Sequence, residues 1–264
     1  MRKRVAIVVP MIKTEPEANR QLFAASVDRQ TFDRDRIVTV AVIRAAEPQS
    51  FPEFDISIHY QHEPGAQRSQ MEQCDIGMVK VDSAIPSVDH MVVATAGDIL
   101  HEDFIKDLRF ALTADDRARV SIPDLAYCEE DMSDPEVIPM SERHTLGKMV
   151  NNNMVPDCSM FTMDMYRRVP FSPEYGRSSF WIWWIKAFQV FGPDAFVNVH
   201  KPLYHYRYHP QSASSFDEEW VKKGYEQFSE WARGQGFIPL DAEIRPFPKE
   251  VWHPKARKNL DKTA

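Results

Sequence analysis

Stretches with the apolar period of strands alternate with stretches with the period of helices along most of the chain. The predicted strands are residues 5–9, 37–43, 56–60 and 91–94. The predicted helices are residues 14–30, residues 66–81 and the segment that starts at Phe104. Strands that alternate with helices in this way form a mainly parallel sheet covered by helices, so the pattern predicts the α/β class.

The second half of the chain contains one acidic stretch and one aromatic stretch. Residues 115–143 are acidic and irregular, which predicts a solvated loop. A strand is expected at residues 158–163, followed by a helix at residues 180–190 that Ser178 or Ser179 would cap. Because this helix is apolar nearly all round, we expect it to be buried. Three tryptophans are predicted to pack in the core rather than to stack on a sugar or a base: Trp181, Trp183 and Trp184.

The last part of the chain divides into a helix and a tail. Ser215 and Glu218 form a capping box, which predicts a helix that packs on the sheet. Beyond it, prolines and basic residues resist regular structure. We therefore expect one domain over residues 1–235 and a Pro-rich, basic extension over residues 236–264.

Charge and cysteine content narrow the class of partner and the compartment. The formal net charge is −7, which argues against nucleic-acid binding, because phosphate binding depends on clustered Lys and Arg. The three cysteines are far apart and form no CxxC pair, so they indicate neither a zinc module nor a disulfide framework and predict a reducing, cytoplasmic environment. No apolar run approaches the roughly 20 residues that cross a bilayer, so no transmembrane segment is expected.

Asp98 follows a predicted strand directly. It ends the turn Thr95-Ala-Gly-Asp98, which connects the strand at residues 91–94 to the next helix. In open α/β sheets, ligands bind at the carboxyl ends of the strands. Asp98 is therefore either a ligand-binding residue or a residue that caps the following turn, as Asp commonly does, and the pattern leaves both interpretations open.

A late segment combines cationic and aromatic side chains in strict alternation. In Leu203-Tyr-His-Tyr-Arg-Tyr-His209, strand geometry places His205, Arg207 and His209 on one face and the tyrosines on the other. The planar donors of Arg and the imidazole N–H groups suit a diphosphate or a carboxylate. Zinc fits less well, since Cα atoms four residues apart in a strand are separated by about 13 Å. The alternative is an edge strand whose polar face meets water.

Four motifs between residues 4 and 215 occur in the order of a known family. They are Ser26-Val-Asp-Arg-Gln-Thr-Phe32, Ala94-Thr-Ala-Gly-Asp-Ile-Leu-His-Glu-Asp-Phe104, Asn152-Asn-Met-Val-Pro-Asp-Cys-Ser-Met-Phe161 and Lys201-Pro-Leu-Tyr-His-Tyr-Arg-Tyr-His-Pro-Gln-Ser212. This series resembles the GT-A domains of family 2 glycosyltransferases, which transfer a sugar from a nucleotide donor to an acceptor. The last motif is the most specific of the four.

The resemblance implies a fold, a substrate class and a set of site residues. The fold would be the GT-A fold, a mainly parallel mixed sheet flanked by helices. The substrates would be a nucleotide sugar and a hydroxyl acceptor on a glycan, a lipid-linked molecule or another compound. The donor would bind between the late strand and the turn at residues 95–98, in a gap wide enough for a nucleotide. The implied donor-binding residues are Pro10, Arg68, Thr95, Asp98, Arg207 and His209. The implied metal ligands are Asp98 and His209, and the implied catalytic residues are Glu174 and Asp98.

The sequence also departs from the family pattern at two acidic positions. Thr95 and Gly97 occupy the positions of the metal-binding DxD motif, so Mn²⁺ or Mg²⁺ would bind weakly without other oxygen ligands. The family's catalytic base, a carboxylate, falls near Ser178 and Ser179, and a serine does not accept a proton usefully near neutral pH. Glu174, four residues upstream of Ser178, is either its substitute or a turn residue. The alternative to an enzyme is a catalytically degenerate domain that binds glycans or serves in assembly.

Overall fold

The computed structural model describes residues 3–12, 16–44, 51–60, 70–129, 132–133, 135–140, 144–207 and 218–237. Its strands are β1 (Arg4–Ile12), β2 (Ile37–Arg44), β3 (Ile56–Tyr60), β4 (Val88–Val93), β5 (Ile99–Leu100), β6 (Val120–Cys128), β7 (Glu136–Ile138), β8 (Met160–Thr162) and β9 (Phe196–Arg207). Its helices are α1 (Glu17–Asp28), α2 (Gln70–Ala84), α3 (Phe104–Ala114), α4 (Leu146–Asn151), α5 (Met163–Arg168), α6 (Ser179–Phe191) and α7 (Glu218–Gly234).

One mixed sheet forms the centre of the described structure. Its strand order is β3-β2-β1-β4-β8-β6-β9-β5, and β7 pairs with β6 beside this path. Strands β1, β2, β3 and β4 are parallel to one another, and β9 is parallel to β6. Because β8 is antiparallel to both β4 and β6, β4 and β6 share one direction. The carboxyl ends of β1, β4, β6 and β9 therefore lie at the same edge of the sheet as the amino end of β8.

The first strands and the helix that covers them follow the predicted pattern. Residues 5–9 of β1 are fully buried, as expected for an apolar central strand. Helix α2 packs closely on this part of the sheet through Gly77. A Cβ atom at that position would lie 2.4 Å from Val8 Cγ1 and 2.8 Å from Val42 Cγ2, so only glycine lets the helix approach this far.

The prediction of a solvated loop over residues 115–143 is wrong. This stretch contains β6, which pairs with β8 and β9 in the interior of the sheet, and the short strand β7. The sequence pattern did not predict this strand because it contains Pro123 and Asp124, and both residue types are depleted in strands. The register between β6 and β9 shifts at these two residues, and the buried Asp124 carboxylate accepts a hydrogen bond from Met140 N at 2.7 Å. A local irregularity and one internal hydrogen bond thus accommodate both residues.

The prediction of a buried aromatic helix is confirmed by α6. Trp181, Trp183 and Trp184 are 6%, 1% and 0% exposed. Trp183 donates its indole N–H to Val169 O at 2.6 Å, so its polar atom is satisfied inside the core. The predicted capping residue is confirmed in position only, because Ser178 is the N-cap residue of α6. Ser178 makes no side-chain cap bond and instead donates its hydroxyl to Gly224 O of α7 at 2.5 Å.

Several predictions fall on parts of the chain that the structure does not describe. The first capping residue, Thr14, and the second one, Ser215, lie outside the described residues, as do residues 238–264 of the predicted extension. Within the described residues, no helix has the length and hydropathy needed to cross a membrane.

Candidate functional site

The candidate site lies at the edge of the sheet where four strands end and one begins. Pro10 is buried in β1 two residues before that strand ends, and Thr95 lies just past the end of β4. Tyr127 is the second-to-last residue of β6, and Arg207 is the last residue of β9. Loops that follow parallel strands converge at this edge, which makes it the ordinary ligand-binding edge of an α/β sheet.

Asp98 connects the turn after β4 to β9. Its side chain is 4% exposed, and each carboxylate oxygen accepts a hydrogen bond. The Tyr204 hydroxyl donates to Oδ2 at 2.6 Å, and the Arg207 backbone N–H donates to Oδ1 at 3.0 Å. The Tyr204 hydroxyl oxygen also accepts a hydrogen bond from Thr95 N at 3.2 Å. Asp98 therefore joins two segments of the backbone, a role that neither sequence-based interpretation anticipated.

Arg207 is bound to the same turn from the opposite side. Its side chain is 5% exposed. The guanidinium donates Nε–H to Gly97 O at 2.8 Å and donates from Nη2 to the side-chain oxygen of Asn19 in α1. A buried arginine held by a carbonyl and an amide oxygen keeps its positive charge close to the turn. Arg207 therefore contributes both a fixed geometry and a positive charge to this edge.

His205 does not add a second charge at neutral pH. Burial, together with the nearby His101, lowers the pKa of His205 below its ordinary value. Its imidazole ring lies 6.1 Å from that of His101, measured between ring centroids. His205 of the predicted cation-capable face is therefore harder to protonate than an ordinary histidine. His209 lies outside the described residues.

The sequence suggested a gap between the late strand and the turn at residues 95–98, wide enough for a nucleotide. That suggestion is wrong for the described part of the strand. Tyr204 and Arg207 hydrogen bond directly to the turn, and β9 pairs with β5 immediately after it. A ligand at this edge therefore does not separate the turn from β9, and Thr95 is the only partly exposed residue of the turn.

The described residues do not form a divalent-metal site. Among them, no group of three or more His, Cys, Asp or Glu side chains is placed to hold an ion. Both oxygens of Asp98 already accept hydrogen bonds from β9, and hard cations need several oxygen ligands. The predicted partner ligand, His209, is not among the described residues, so its role as a metal ligand stays a prediction.

The two remaining predicted site residues are Arg68 and Glu174. Arg68 falls in the undescribed stretch before α2. Glu174 is exposed in the 3₁₀ segment Pro173–Ser178, which precedes α6. That segment turns at Gly176, whose φ of 52° favours glycine. Glu174 is thus presented to solvent on a sharply bent segment between α2 and α7.

Asp157 is a carboxylate at this edge that sequence reasoning did not single out. It lies in the turn before β8, where the Ser159 N–H donates to Pro156 O at 3.0 Å. Its side chain is exposed, yet the protein mass around it displaces bulk water and raises the pKa of its carboxyl to about 7, while the nearby Arg177 opposes that rise. The exposed side chain and the raised pKa together make Asp157 a candidate site residue.

Helix α2 contributes a second carboxyl to this side of the site. Burial raises the pKa of Asp75, and the negative charges of Glu174 and Glu72 raise it further. Glu174 is therefore within electrostatic range of α2. Helix α2 and the 3₁₀ segment thus carry Glu72, Asp75 and Glu174, and Arg177 of the 3₁₀ segment is the cation that acts on Asp157.

Ser178 and Ser179, at the position where the resemblance places the catalytic base, are part of the core. Ser178 is 4% exposed and donates to Gly224 O, and Ser179 is 0% exposed. Arg177, the residue before them, packs its side chain against α7, where its Cβ lies 3.2 Å from the point that a Cβ of Gly224 would occupy. The α6 amino terminus is therefore fixed on α7, and neither serine hydroxyl is available to a substrate.

Solved structures with a similar fold are found at low sequence identity. TarS from S. aureus, residues 1–349 in complex with UDP-GlcNAc, gives a TM-score of 0.61 at 10% identity and covers 98% of this chain and 80% of that chain. The mannosyltransferase PcManGT from Pyrobaculum calidifontis, in complex with GDP-Man and Mn²⁺, gives 0.58 at 14% identity, with 98% and 71% covered. A longer TarS structure gives 0.59 at 12% identity; the match covers 91% of this chain but only 46% of that one.

The sequence comparisons add nothing to these structural ones, since no family model and no curated protein matches the chain. Identities this low establish the fold and not the activity. The fold class expected from the sequence is confirmed, and the chain has the GT-A fold, with a mainly parallel mixed sheet flanked by helices.

Proposed function

We propose that the chain is a family 2 glycosyltransferase that transfers a sugar from a nucleoside diphosphate donor to a hydroxyl acceptor on a glycan, a lipid-linked molecule or another compound. The observation that carries this proposal is the convergence of Thr95, Asp98 and Arg207 at one edge of a GT-A sheet, with Asp157 in the turn before β8 at the same edge. The four motifs that resemble this family include all four residues.

In this proposal the donor lies against Thr95, the partly exposed residue of the turn at residues 95–98. Pro10 and Thr95 form the end of the sheet beneath it, and Arg68 and His209 are the expected cations around the diphosphate. Arg207 and Asp98 support the turn from its buried side, since both are buried and hold the turn in position. A preorganised cation near a developing phosphate charge stabilises the leaving group without a large reorganisation cost.

The nucleotide sugars bound by similar structures supply the probes. TarS is in complex with UDP-GlcNAc, and PcManGT is in complex with GDP-Man and Mn²⁺. Isothermal titration calorimetry of the full chain with UDP-GlcNAc and GDP-mannose, with and without Mn²⁺, tests the proposal. We expect at least one donor to bind with a Kd below about 1 mM, as is usual for enzyme substrates. Failure of both donors under both conditions contradicts donor binding.

A second hypothesis, a binding module without catalysis, is favoured by one specific observation. Ser178 and Ser179, at the position where the resemblance places the catalytic base, are buried, and Ser178 is hydrogen bonded to α7. Slow hydrolysis of a bound donor separates the two hypotheses, because it requires no acceptor. Released sugar supports the transferase, and binding without release at any pH supports the module.

The compartment is part of the same proposal. All three cysteines are free and buried, which fits a reducing compartment such as the cytoplasm.

A further inference from the structure

The proposed transfer requires a group that takes the proton of the acceptor hydroxyl. At the position where the resemblance places that group, the chain has Ser178 and Ser179, which are buried in the contact between α6 and α7. Hydroxyl groups remain protonated near neutral pH and do not act as bases there. If the chain is a transferase, the base therefore comes from another segment.

Asp157 lies at the right edge of the sheet for this role. Strand β8 runs antiparallel to β4, with His90 opposite Thr162 and Met91 opposite Phe161. The pairing places the amino end of β8 at the edge where β4 ends, and Asp157 lies in the turn three residues before β8. Asp157 is therefore at the same edge of the sheet as the turn at residues 95–98, called here the donor turn, and the segment that carries it leads directly into a central strand.

The groups around Asp157 come from three elements. Arg177 in the 3₁₀ segment is the cation that acts on its carboxyl. Cys74 of α2 and the adjacent Cys158 are both buried and feel its negative charge, and Asp98 of the donor turn also acts on Cys158. Asp157 therefore lies between α2, the donor turn and the 3₁₀ segment, with its side chain exposed to solvent.

We propose that Asp157 is the general base of the transfer, an inference that rests on the proposed function. Its carboxylate takes the proton of the acceptor hydroxyl while the hydroxyl oxygen forms a bond to the anomeric carbon of the donor sugar. The bond from that carbon to the diphosphate oxygen breaks, and its electron pair leaves with the nucleoside diphosphate. The proton remains on Asp157 until the product departs.

The protonation behaviour of Asp157 agrees with this role. Because poor hydration raises its pKa to about 7, the group is a stronger base than an ordinary carboxylate and is still partly ionised at neutral pH. The competing residue is Glu174, whose charge acts mainly on Asp75 of α2. Matched substitutions at the two positions decide between them.

Hydrolysis of UDP-GlcNAc and GDP-mannose by the full chain tests the base, with water as the acceptor. For Asp157→Asn we expect kcat to fall by about 100-fold or more, with the donor Kd changed by less than about threefold because the substitution is isosteric and touches no donor group. Wild-type kcat is expected to rise with pH through an inflection near pH 7, following the carboxyl pKa of about 7, and the variant is expected to lose this inflection.

The controls separate failure of the base from failure of the function. Asp194→Asn removes a surface carboxylate that is 62% exposed and paired with Arg117, and it is expected to leave kcat unchanged. If a donor binds and Asp157→Asn hydrolyses it at the wild-type rate, or if Glu174→Gln alone abolishes hydrolysis, Asp157 is not the base although the chain is still a transferase. If no donor binds to the wild type, the proposed function fails and the inference fails with it.

A measurement without turnover gives an independent check. In protein labelled with ¹³C at the aspartate carboxyl carbons, NMR titration is expected to show one carboxyl that titrates near pH 7, in accord with a pKa of about 7, and that is missing in Asp157→Asn. A spectrum in which every aspartate titrates below about pH 5 contradicts the proposal.

Discussion

Asp98→Ala is expected to lower the free energy of unfolding by about 2–6 kcal/mol, because it leaves two buried donors without their acceptor, at about 1–3 kcal/mol each. The donors are the Tyr204 hydroxyl and the Arg207 backbone N–H. Asp98→Asn keeps one acceptor oxygen, so its loss is expected to be smaller. Denaturant unfolding followed by tryptophan fluorescence measures the loss of stability in both variants.

A double-mutant cycle and a surface control make the Asp98 result specific. Tyr204→Phe removes one of the two donors, so the combined variant Asp98→Ala/Tyr204→Phe is expected to lose less than the sum of the single losses. Asp164→Ala, which removes a carboxylate with a 57% exposed side chain, is expected to change stability by less than about 0.5 kcal/mol. If Asp98→Ala costs no more than this control, Asp98 does not hold the turn to β9.

Trp183→Ala is expected to cost about 3–5 kcal/mol or more, as is usual when a buried aromatic side chain is removed. Trp183 is 1% exposed, and its ring packs against those of Phe161 and Phe171. The ring centroids are 4.8 Å apart for Phe161 and 5.4 Å apart for Phe171. The substitution also leaves the Val169 carbonyl without its indole donor. Because α6 follows directly on the 3₁₀ segment that carries Arg177, loosening this helix is expected to weaken donor hydrolysis as well.

An exposed aromatic residue provides the matched control for Trp183. Phe110 of α3 is 71% exposed, so Phe110→Ala removes a ring without leaving a cavity and is expected to change stability by less than about 0.5 kcal/mol. Trp183→Phe retains most of the ring volume and is expected to lie between the two. Equal losses for Trp183→Ala and Phe110→Ala would show that α6 does not anchor the core.

The parts of the fold that the sequence predicted are those where pattern and burial agree. Residues 5–9 are continuously apolar and form a central strand, and the aromatic run at residues 180–190 forms the buried helix α6. Strand β6 was missed because Pro123 and Asp124 interrupt its pattern. Their accommodation depends on a register shift against β9 and on the backbone of Met140, neither of which is local in sequence.

The candidate site was only partly predictable for the same reason. Asp98 was found because it follows a strand, a signal that the sequence contains. Its hydrogen-bond donors, Tyr204 and Arg207, are more than 100 positions away along the chain. No local sequence rule predicts these hydrogen bonds. Asp157 was missed because its position depends on β8 running antiparallel between β4 and β6, and strand direction at that distance is not encoded in a local pattern.

Hydrogen–deuterium exchange of the full chain, with and without a bound nucleoside diphosphate sugar, tests the central claim most directly. The claim is that the donor occupies the edge of the sheet at the turn after β4, next to the start of β8. We expect slower exchange in peptides that cover residues 92–98 and 155–159 when donor is added. Unchanged exchange in both peptides while the donor is bound, or protection confined to other segments, would contradict the account.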